Sequence, residues 1–393
     1  MENEPDLNKY ISKEDIQRII AKHDGNEGEV VDCYSILKAS DKMLGFLCDY
    51  WKVKVILQSE RTLNYFLKVT SVTNKAKADI VKELDLLGKE MFFYKVIKEM
   101  IKVPVFQDVE AIGYRLRDKF RTFDESHTLE ALKTLTRFHA SSIIFEEKKT
   151  KELGQRYSLN DYFETQLGKA GYEDTDPWYL QCMYGALEGF KKFSKYTENE
   201  LKSVEDNWKK VWLEALSLSD ASPVHKNAIC HRDLWNNNIM FHYTNGQPDD
   251  CILVDFQAAR YQPPAGDVML LLYSNLDPKY REENLDFFLN FYIEELHQIL
   301  EQNDVTPDGI SKENFFESAK EQRKWGIVIC ACLLPLAWIS DEDTFKYFSH
   351  TARFDYIVNK NKASFIIEMM ETSQEYKEKL MDVFDEIVER YCK

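Results

Sequence analysis

The segment 229–241 contains the side chains whose types and spacing best fit a defined chemistry. Within it, His231, Asp233 and Asn238 have the spacing H-x-D-x-x-x-x-N, and a later apolar run, I-L-V-D-F-Q, carries Asp255. In phosphoryl transfer, one carboxylate faces the incoming hydroxyl while other oxygen ligands hold the cation on the nucleotide phosphates. Mg²⁺ prefers carboxylate and amide oxygens. The pattern therefore predicts a kinase site with Asp233 at the acceptor and Asn238 and Asp255 at Mg²⁺ on ATP.

Such a site also needs a fixed cation on the nucleotide phosphates. Lys68 lies in the strand-like run Y-F-L-K-V, and Glu90 follows on a helical stretch, where it can pair with Lys68 and orient it. Either residue alone is typical of a solvent-exposed position. Their order, with Lys68 and Glu90 ahead of H-x-D-x-x-x-x-N and D-F, is what favours the kinase interpretation.

The elements that must position these residues change in type along the chain. Two strand-like runs lie between about residues 50 and 69, Y-W-K-V-K-V-I-L and N-Y-F-L-K-V-T, and the first alternates apolar and polar side chains, which is typical of a half-buried strand. A helical pattern covers 75–101, and V-P-V-F-Q-D-V (103–109) forms a short extended run. From there the pattern is helical, interrupted by short apolar runs at 228–255. Helices are predicted at Leu129–Phe145, Pro177–Phe193, Leu201–Leu216, Leu285–Leu300, Glu313–Ile339 and Phe365–Tyr391.

This order predicts an α+β, two-lobed fold with a small β-rich N-lobe that carries one helix and a large helical C-lobe. We place the N-lobe at 1–109 and the C-lobe at 110–393, with a hinge at about 106–110. In such an architecture the active cleft lies at the junction of the lobes.

Composition and charge exclude several classes of protein. The chain of 393 residues is 44% hydrophobic and 13% aromatic, which excludes a disordered or fibrous protein. Its 67 acidic and 51 basic residues give a net charge of −16. Nucleic acids and anionic membranes need a basic face, so neither is expected as a partner.

The N-terminal residues have neither the basic nor the apolar region of a secretory signal. The longest apolar stretch, Trp325–Ile339, is too short to span a bilayer, and we interpret it as a buried helix that is kinked or ends near Pro335. The eight scattered cysteines are expected to be reduced core thiols, and the C-x-C pair Cys330 and Cys332 to pack in the core. We therefore expect a cytoplasmic protein without a membrane span.

At these motifs the sequence resembles the choline/aminoglycoside-kinase-like superfamily, and closely the ecdysteroid kinase-like family. The likeness runs from about residue 45 to 268. Its main motifs are H-R-D-L-W-N-N-N-I-M-F (231–241), L-V-D-F-Q-A-A-R-Y (253–261) and P-P-A-G-D-V (263–268). Supporting motifs are G-F-L-C-D-Y-W (45–51), F-L-K-V (66–69), K-E-M-F-F-Y (89–94) and R-F-H-A-S (137–141).

The resemblance implies a protein-kinase-like fold that transfers the ATP γ-phosphate to a hydroxyl of a small molecule. It assigns Asp233 as the catalytic base, or as the group that orients the acceptor hydroxyl. Asn238 and Asp255 would bind Mg²⁺, while Lys68 would bind the ATP phosphates with the support of Glu90.

The resemblance also implies two roles outside these motifs. The run F-Q-D-V (106–109), which includes Gln107 and Val109, looks like the hinge whose backbone meets adenine. Asp267 would brace the catalytic loop from the start of a helix. From the residues themselves, His231 is expected to brace the loop by hydrogen bonds, and His139 to be a packed histidine.

Other functions remain open at this point. Cys48 stands where related chains often have a second glycine in the phosphate-covering loop, which motivates a catalytically silent module that binds a hydrophobic small molecule. A protein kinase is disfavoured, because the chain has neither G-x-G-x-x-G before the first strand nor A-P-E after Asp255.

The acceptor is open as well: an ecdysteroid, another hydroxylated lipid or xenobiotic, or a choline-like cation. Its pocket is expected in the helical part after Asp267. The sequence does not define the oligomeric state.

Overall fold

The computed structural model describes residues 11–24, 28–40, 45–97, 109–110, 112–168, 174–306 and 310–393. The chain packs as two compact units. The first comprises Met1–Glu83, Val105–Gly113 and Ser340–Phe354, and the second comprises Leu84–Pro104, Tyr114–Ile339 and Asp355–Lys393. The lobe boundary near residue 109 stays a prediction. The two units are defined by which residues pack together and not by chain order. The segment Ser340–Phe354, from the C-terminal third of the chain, therefore belongs to the first unit.

The first unit is built on an antiparallel sheet of three strands in the order β1-β2-β3, at Val31–Lys38, Cys48–Leu57 and Thr62–Thr70. On β2, Trp51, Val53, Val55 and Leu57 are buried while Lys54 is exposed, so the predicted alternation is confirmed. Helix α1 (Lys13–Asp24) packs its buried isoleucines against this apolar face. The unit also holds α2 (Lys75–Glu83), helix Asp341–Phe348 and most of helix Thr351–Asp355.

The long helix predicted over 75–101 is wrong, because the chain breaks after α2. Asp85 adopts a left-handed backbone with φ 49°, which aspartate tolerates better than most residues. Its carboxylate lies over Gly88, where a Cβ atom would be only 2.1 Å from Oδ1. A new helix, α3 (Leu86–Phe92), begins there and continues into the π-helical turn Phe93–Ile97 as part of the second unit.

The second unit is mainly helical. After α3 its helices are α4 (Glu125–Leu153), α5 (Leu159–Leu167), α6 (Pro177–Phe193), α7 (Glu198–Ser217), α8 (Pro264–Asn275), α9 (Pro278–Gln302), α10 (Lys312–Ala337), α11 (Lys362–Thr372) and α12 (Gln374–Ile387). The helix predicted over Phe365–Tyr391 is interrupted at Ser373, whose extended backbone and side chain cap α12. Pro335 is tolerated two residues before the end of α10.

Two small sheets interrupt these helices. Strands β4 (Arg115–Leu116), β6 (Ile239–Thr244) and β7 (Gln247–Leu253) form one antiparallel sheet, and β5 (Ala228–Cys230) pairs with β8 (Arg260–Gln262) in the other. All eight cysteines lie in the described part of the chain as free thiols, and seven are buried, including Cys330 and Cys332. The prediction of core thiols is confirmed for these seven and is wrong for Cys33, which is exposed on β1.

The described helices include no single one that is long and apolar enough to cross a membrane. One bent pair, Lys312–Ala337 with Asp341–Phe348, satisfies the criterion of length and composition when the two are taken together.

The first unit contains a buried lysine that allows a test of its packing. Lys77 on α2 is 4% exposed. Burial lowers its pKa to about 8, although the negative charge of Asp49 acts to raise it. Unfolding restores the ordinary lysine pKa of about 10.4, so between these values the unfolded chain binds more protons than the folded chain. The free energy of unfolding therefore gains a contribution from Lys77 as the pH rises from about 8 to 10.

We expect Lys77→Met to raise the free energy of unfolding by about 1–3 kcal/mol at neutral pH, because an apolar side chain avoids burying the charge. The difference in the free energy of unfolding between the variant and the wild type should decrease as the pH approaches 10. Urea unfolding at several pH values measures both effects, with Lys82→Met on the exposed face of α2 as the control. A destabilised variant, or a difference independent of pH, would contradict this account.

Candidate active site

The predicted catalytic residues lie on two connections between buried strands of the second unit. The loop 231–238 joins β5 to β6, and Asp255 follows β7. All three residues of β5 are buried, as are Ile239 at the start of β6 and Leu253 at the end of β7. Because Ile239 pairs with Leu253, the C-terminal end of the loop and the approach to Asp255 lie side by side.

Asp233 and Asn238 contact each other directly. The Asn238 Nδ2 group donates to the Asp233 carbonyl oxygen at 2.9 Å and to its carboxylate Oδ2 at 2.8 Å. The Val254 backbone N–H donates to the Asn238 carbonyl oxygen at 3.0 Å. The loop is therefore closed on itself and tied to the residue that precedes Asp255. With Nδ2 used in this way, the atom that Asn238 can offer to a cation is Oδ1.

His231 is fully buried and links the same segments. Its Nε2–H donates to the Val254 carbonyl at 2.9 Å, while Nδ1 accepts the Asp233 backbone N–H at 3.3 Å. Burial lowers the pKa of His231, although the negative charges of Asp267 and Asp255 act to raise it. The imidazole is therefore neutral, and its proton is on Nε2. The prediction of a bracing histidine is confirmed.

Asp267, in the first turn of α8, holds the beginning of the loop. Its carboxylate accepts the backbone N–H groups of His231 at 2.5 Å and Arg232 at 2.9 Å. It also lies 3.1 Å from His139 Nε2, and His139 Nδ1 lies 2.7 Å from the Tyr292 hydroxyl. Both predictions, a bracing Asp267 and a packed His139, are confirmed.

Left-handed backbone occurs at both segments of the candidate site. Arg232 has φ 69° and Asp255 has φ 67°, values that cost energy for residues other than glycine. The surrounding structure must therefore hold these conformations. At Arg232 it does so through Asp267 and through the buried guanidinium, which lies 5.3 Å from the centroid of the Trp325 ring. The sequence analysis did not assign Arg232, and its φ could not be read from the sequence.

An aromatic contact connects the loop to α3. The Phe256 ring stacks on Phe93 with centroids 4.2 Å apart and an interplanar angle of 4°, and lies 4.8 Å from the His231 ring. Glu90, which is 8% exposed, precedes Phe93 by three residues on the same helix. The helix that bears Glu90 is thus packed against the turn that follows Asp255.

The predicted site residues are distributed over both units. Asp233, Asn238, Asp255 and Glu90 belong to the second unit. Lys68 lies on β3 of the first unit, opposite Tyr50.

Val109 lies in a turn of the first unit, and Gln107, with the extended run 103–108, is outside the described residues. Cys48 begins β2 and is buried.

Two asparagines that sequence reasoning missed also support the loop. Asn275 Nδ2, at the end of α8, donates to the carbonyl oxygen of Leu234 at 2.8 Å, and Asn236 Nδ2 donates to that of Asp118 at 3.2 Å. The N-N-N run at 236–238 marked Asn236 as part of a polar turn. Nothing in the local sequence connects Asn275 to the loop.

One buried cluster resembles a metal site by proximity alone. Ligand atoms of His139, Cys230 and Asp267 lie within 4.8 Å of one another. Burial raises the pKa of the Cys230 thiol well above its ordinary value, and its sulfur contacts the Gln262 carbonyl at 3.4 Å. Since the Asp267 carboxylate is already engaged with backbone N–H groups, the cluster is a structural brace.

With this geometry in view, the chain can be compared with known proteins. The model of the ecdysteroid kinase-like family matches residues 98–304. The chain belongs to this family. A comparison with curated protein sequences returned no match.

Solved structures similar to this chain include a choline kinase from Cryptosporidium parvum Iowa II, with 14% identity, a TM-score of 0.43, and coverage of 92% of this chain and 97% of that chain. A Plasmodium vivax ethanolamine kinase has 13% identity, a TM-score of 0.41, and coverage of 98% and 95%. Amicoumacin kinase hAmiN, in complex with AMP-PNP, Ca²⁺ and Ami, has 14% identity, a TM-score of 0.38, and coverage of 91% and 96%.

Family membership, together with a strand-rich first unit and a helical second unit, confirms the predicted α+β two-lobed, kinase-like fold class. It also indicates a small-molecule phosphotransferase.

The role of Asp267 leads to a stability prediction. Asp267→Asn replaces one carboxylate oxygen with an NH₂ group, so at least one of the three buried donors faces another donor. We expect the free energy of unfolding to fall by about 2–4 kcal/mol in urea titrations. Asp206→Asn, on the exposed face of α7, is the control and should change it by less than about 0.5 kcal/mol. Equal stability of the two variants would show that the Asp267 contacts do not hold the loop.

Proposed function

We propose that the protein is an ATP- and Mg²⁺-dependent kinase that transfers the γ-phosphate to a hydroxyl of an ecdysteroid or a similar hydroxylated metabolite or xenobiotic. The observation that carries the proposal is the direct pairing of Asp233 and Asn238 across one braced loop, in a chain of the ecdysteroid kinase-like family. Catalysis of phosphoryl transfer is mainly positioning and charge stabilisation, so a rigid loop is the feature that this chemistry requires.

Asp233 would act on the acceptor. The acceptor oxygen forms a bond to the γ-phosphorus while the bond from that phosphorus to the β-γ bridging oxygen breaks, and ADP leaves. The hydroxyl proton passes to the Asp233 carboxylate, which acts as general base or orients the hydroxyl. The bond from Asn238 Nδ2 to Oδ2 supports this role because it limits rotation of the carboxylate, and the bond from the Asp233 N–H to His231 holds the backbone that carries it.

The donor set fits a hard divalent cation. Asn238 can present Oδ1 and Asp255 its carboxylate, and both are oxygen ligands of the kind that Mg²⁺ prefers. When bound, Mg²⁺ would neutralise charge on the nucleotide phosphates. The left-handed backbone of Asp255 and the stacked Phe256 fix where this residue leaves β7, which supports its assignment as a ligand.

The remaining contacts to the nucleotide would come from residues outside the loop. In the proposal Lys68 binds the ATP phosphates and Glu90 supports it, while the backbone at Gln107 and Val109 meets adenine. Glu90 is buried on a helix that packs against Phe256, and this supports its part, because the packing fixes the position of the helix that carries the carboxylate.

Substitution of the proposed base tests the reaction. We expect Asp233→Asn to lower kcat for a confirmed acceptor by at least ~10²-fold, because the amide cannot accept the proton. Omission of Mg²⁺ should abolish turnover in the wild type. ADP release measures both effects, Asp206→Asn is the matched control, and thermal unfolding verifies that each variant is folded. Wild-type turnover in Asp233→Asn would remove Asp233 from the mechanism.

A catalytically silent module that binds a hydrophobic small molecule is the alternative, and Cys48 motivates it. The kinase proposal predicts that millimolar ATP with Mg²⁺ raises the Tm by roughly 2 °C or more, since a ligand that binds only the folded state stabilises it. Lys68→Ala should reduce the shift, while Lys82→Met should retain it. No shift in the wild type would favour the silent module.

A further inference from the structure

A small cavity lies beside the 231–238 loop in the second unit. Its volume is about 20 Å³, enough for one water-sized group. Trp235 and Asn236 line one side, only two and three residues after Asp233, and Asn275 and Trp338 line it from α8 and the end of α10. Arg121, which also lines the cavity, is exposed to solvent.

Four buried polar atoms of the lining residues have no hydrogen-bond partner within the described chain: Asn236 Oδ1, Ser274 Oγ, Asn275 Oδ1 and Trp338 Nε1. Asn236, Asn275 and Trp338 are 8%, 3% and 9% exposed. Buried polar groups without partners cost about 1–3 kcal/mol each, so such a concentration around one space indicates a bound group.

The amide orientations are determined by their other contacts. Asn275 Nδ2 donates to two carbonyl oxygens, those of Leu234 and Leu271, each at 2.8 Å. Asn236 Nδ2 donates to the Asp118 carbonyl at 3.2 Å. An exchange of nitrogen and oxygen in either amide would place an oxygen against a carbonyl oxygen. The two amide oxygens without partners are therefore acceptors, the indole N–H is a donor, and the Ser274 hydroxyl can act as either.

This donor and acceptor set selects the chemistry of the occupant. A hydroxyl can donate to an amide oxygen and accept from the Trp338 N–H. An ammonium group can only donate, and a quaternary ammonium does neither. The cations nearby also disfavour a positive ligand: Lys119 and Arg121 line the cavity, and Lys379 Nζ lies 5.0 Å from the centroid of the Trp338 ring.

We propose that this cavity binds a second hydroxyl of the acceptor while another hydroxyl faces Asp233, so that the acceptor is a neutral polyhydroxylated molecule and not a cationic amino alcohol. The inference rests on the proposed kinase function and names its substrate class. Trp338, Asn236 and Asn275 are then specificity-determining residues that discriminate against molecules lacking the second hydroxyl, since an unfilled polar site leaves its groups unpaired.

The test uses the full-length protein with ecdysone, a polyhydroxylated steroid, and choline as competing acceptors. Trp338→Phe removes the N–H and keeps the ring. We expect it to raise the KM for ecdysone by about three- to ten-fold with little change in kcat or in the KM for ATP. Trp212→Phe is the matched control, because Trp212 is a buried tryptophan of α7 whose Nε1 also has no partner within the described chain. It should leave the KM for ecdysone unchanged.

A second variant and a binding measurement test the assignment of the cavity separately from the proposed kinase function. Ala337→Val narrows the cavity at its wall and should also raise the KM for ecdysone. Unchanged KM values in both cavity variants, or a preference for choline in the wild type, would overturn the assignment of the cavity while leaving the kinase function intact. If no acceptor is phosphorylated, the kinase function fails, and equilibrium dialysis decides about the cavity: weaker ecdysone binding in Trp338→Phe than in Trp212→Phe supports it, and equal binding rejects it.

Discussion

The arrangement of the site depends on one buried carboxylate. Asp267 is fully buried, and a charge in that position is tolerated only where hydrogen bonds replace its lost hydration. Its donors are the backbone N–H groups of His231 and Arg232 together with the His139 ring. The carboxylate and the loop therefore depend on each other. Without the loop the carboxylate has no backbone donors, and without the carboxylate the left-handed backbone at Arg232 loses the hydrogen bond that offsets its energetic cost.

From that anchor a continuous set of hydrogen bonds reaches both parts of the candidate chemistry. His231, held by Asp267, bonds to the Val254 carbonyl, and the Val254 N–H bonds to the Asn238 carbonyl. Asn238 in turn holds the Asp233 carboxylate. Displacement of any one of these residues moves the others, which is the kind of support that keeps a site within a fraction of an ångström of its working geometry.

Sequence reasoning succeeded where the determining contacts are local. Asp233 and Asn238 are five residues apart, so a tight loop must bring them close, and the alternation on β2 follows from one buried sheet face. It failed where a single backbone conformation decided the outcome. The periodicity around Asp85 is helical, yet the left-handed conformation of Asp85 ends one helix and begins another.

Residues that act from remote segments could not be predicted at all. Asn275 and Trp338 lie some forty and a hundred positions beyond the loop, and a single sequence carries no signal of such contacts. Gly88 shows the same limit on a small scale, because its role is to leave room for the Asp85 side chain.

Helix α8 carries two functions on one rigid element. Asp267 at its start anchors the loop, and Asn275 at its end, about 12 Å further along the axis, bonds to Leu234 and lines the cavity. A change that moves α8 must therefore move the loop and the cavity together. Under the proposal that the cavity binds the acceptor, acceptor selection can vary independently of catalysis only through groups that line the cavity without holding the loop. Among the residues around the cavity, Trp338 fits that description, since it meets the cavity from the end of α10 and its ring contacts Phe120 and Lys379, which lie outside the loop.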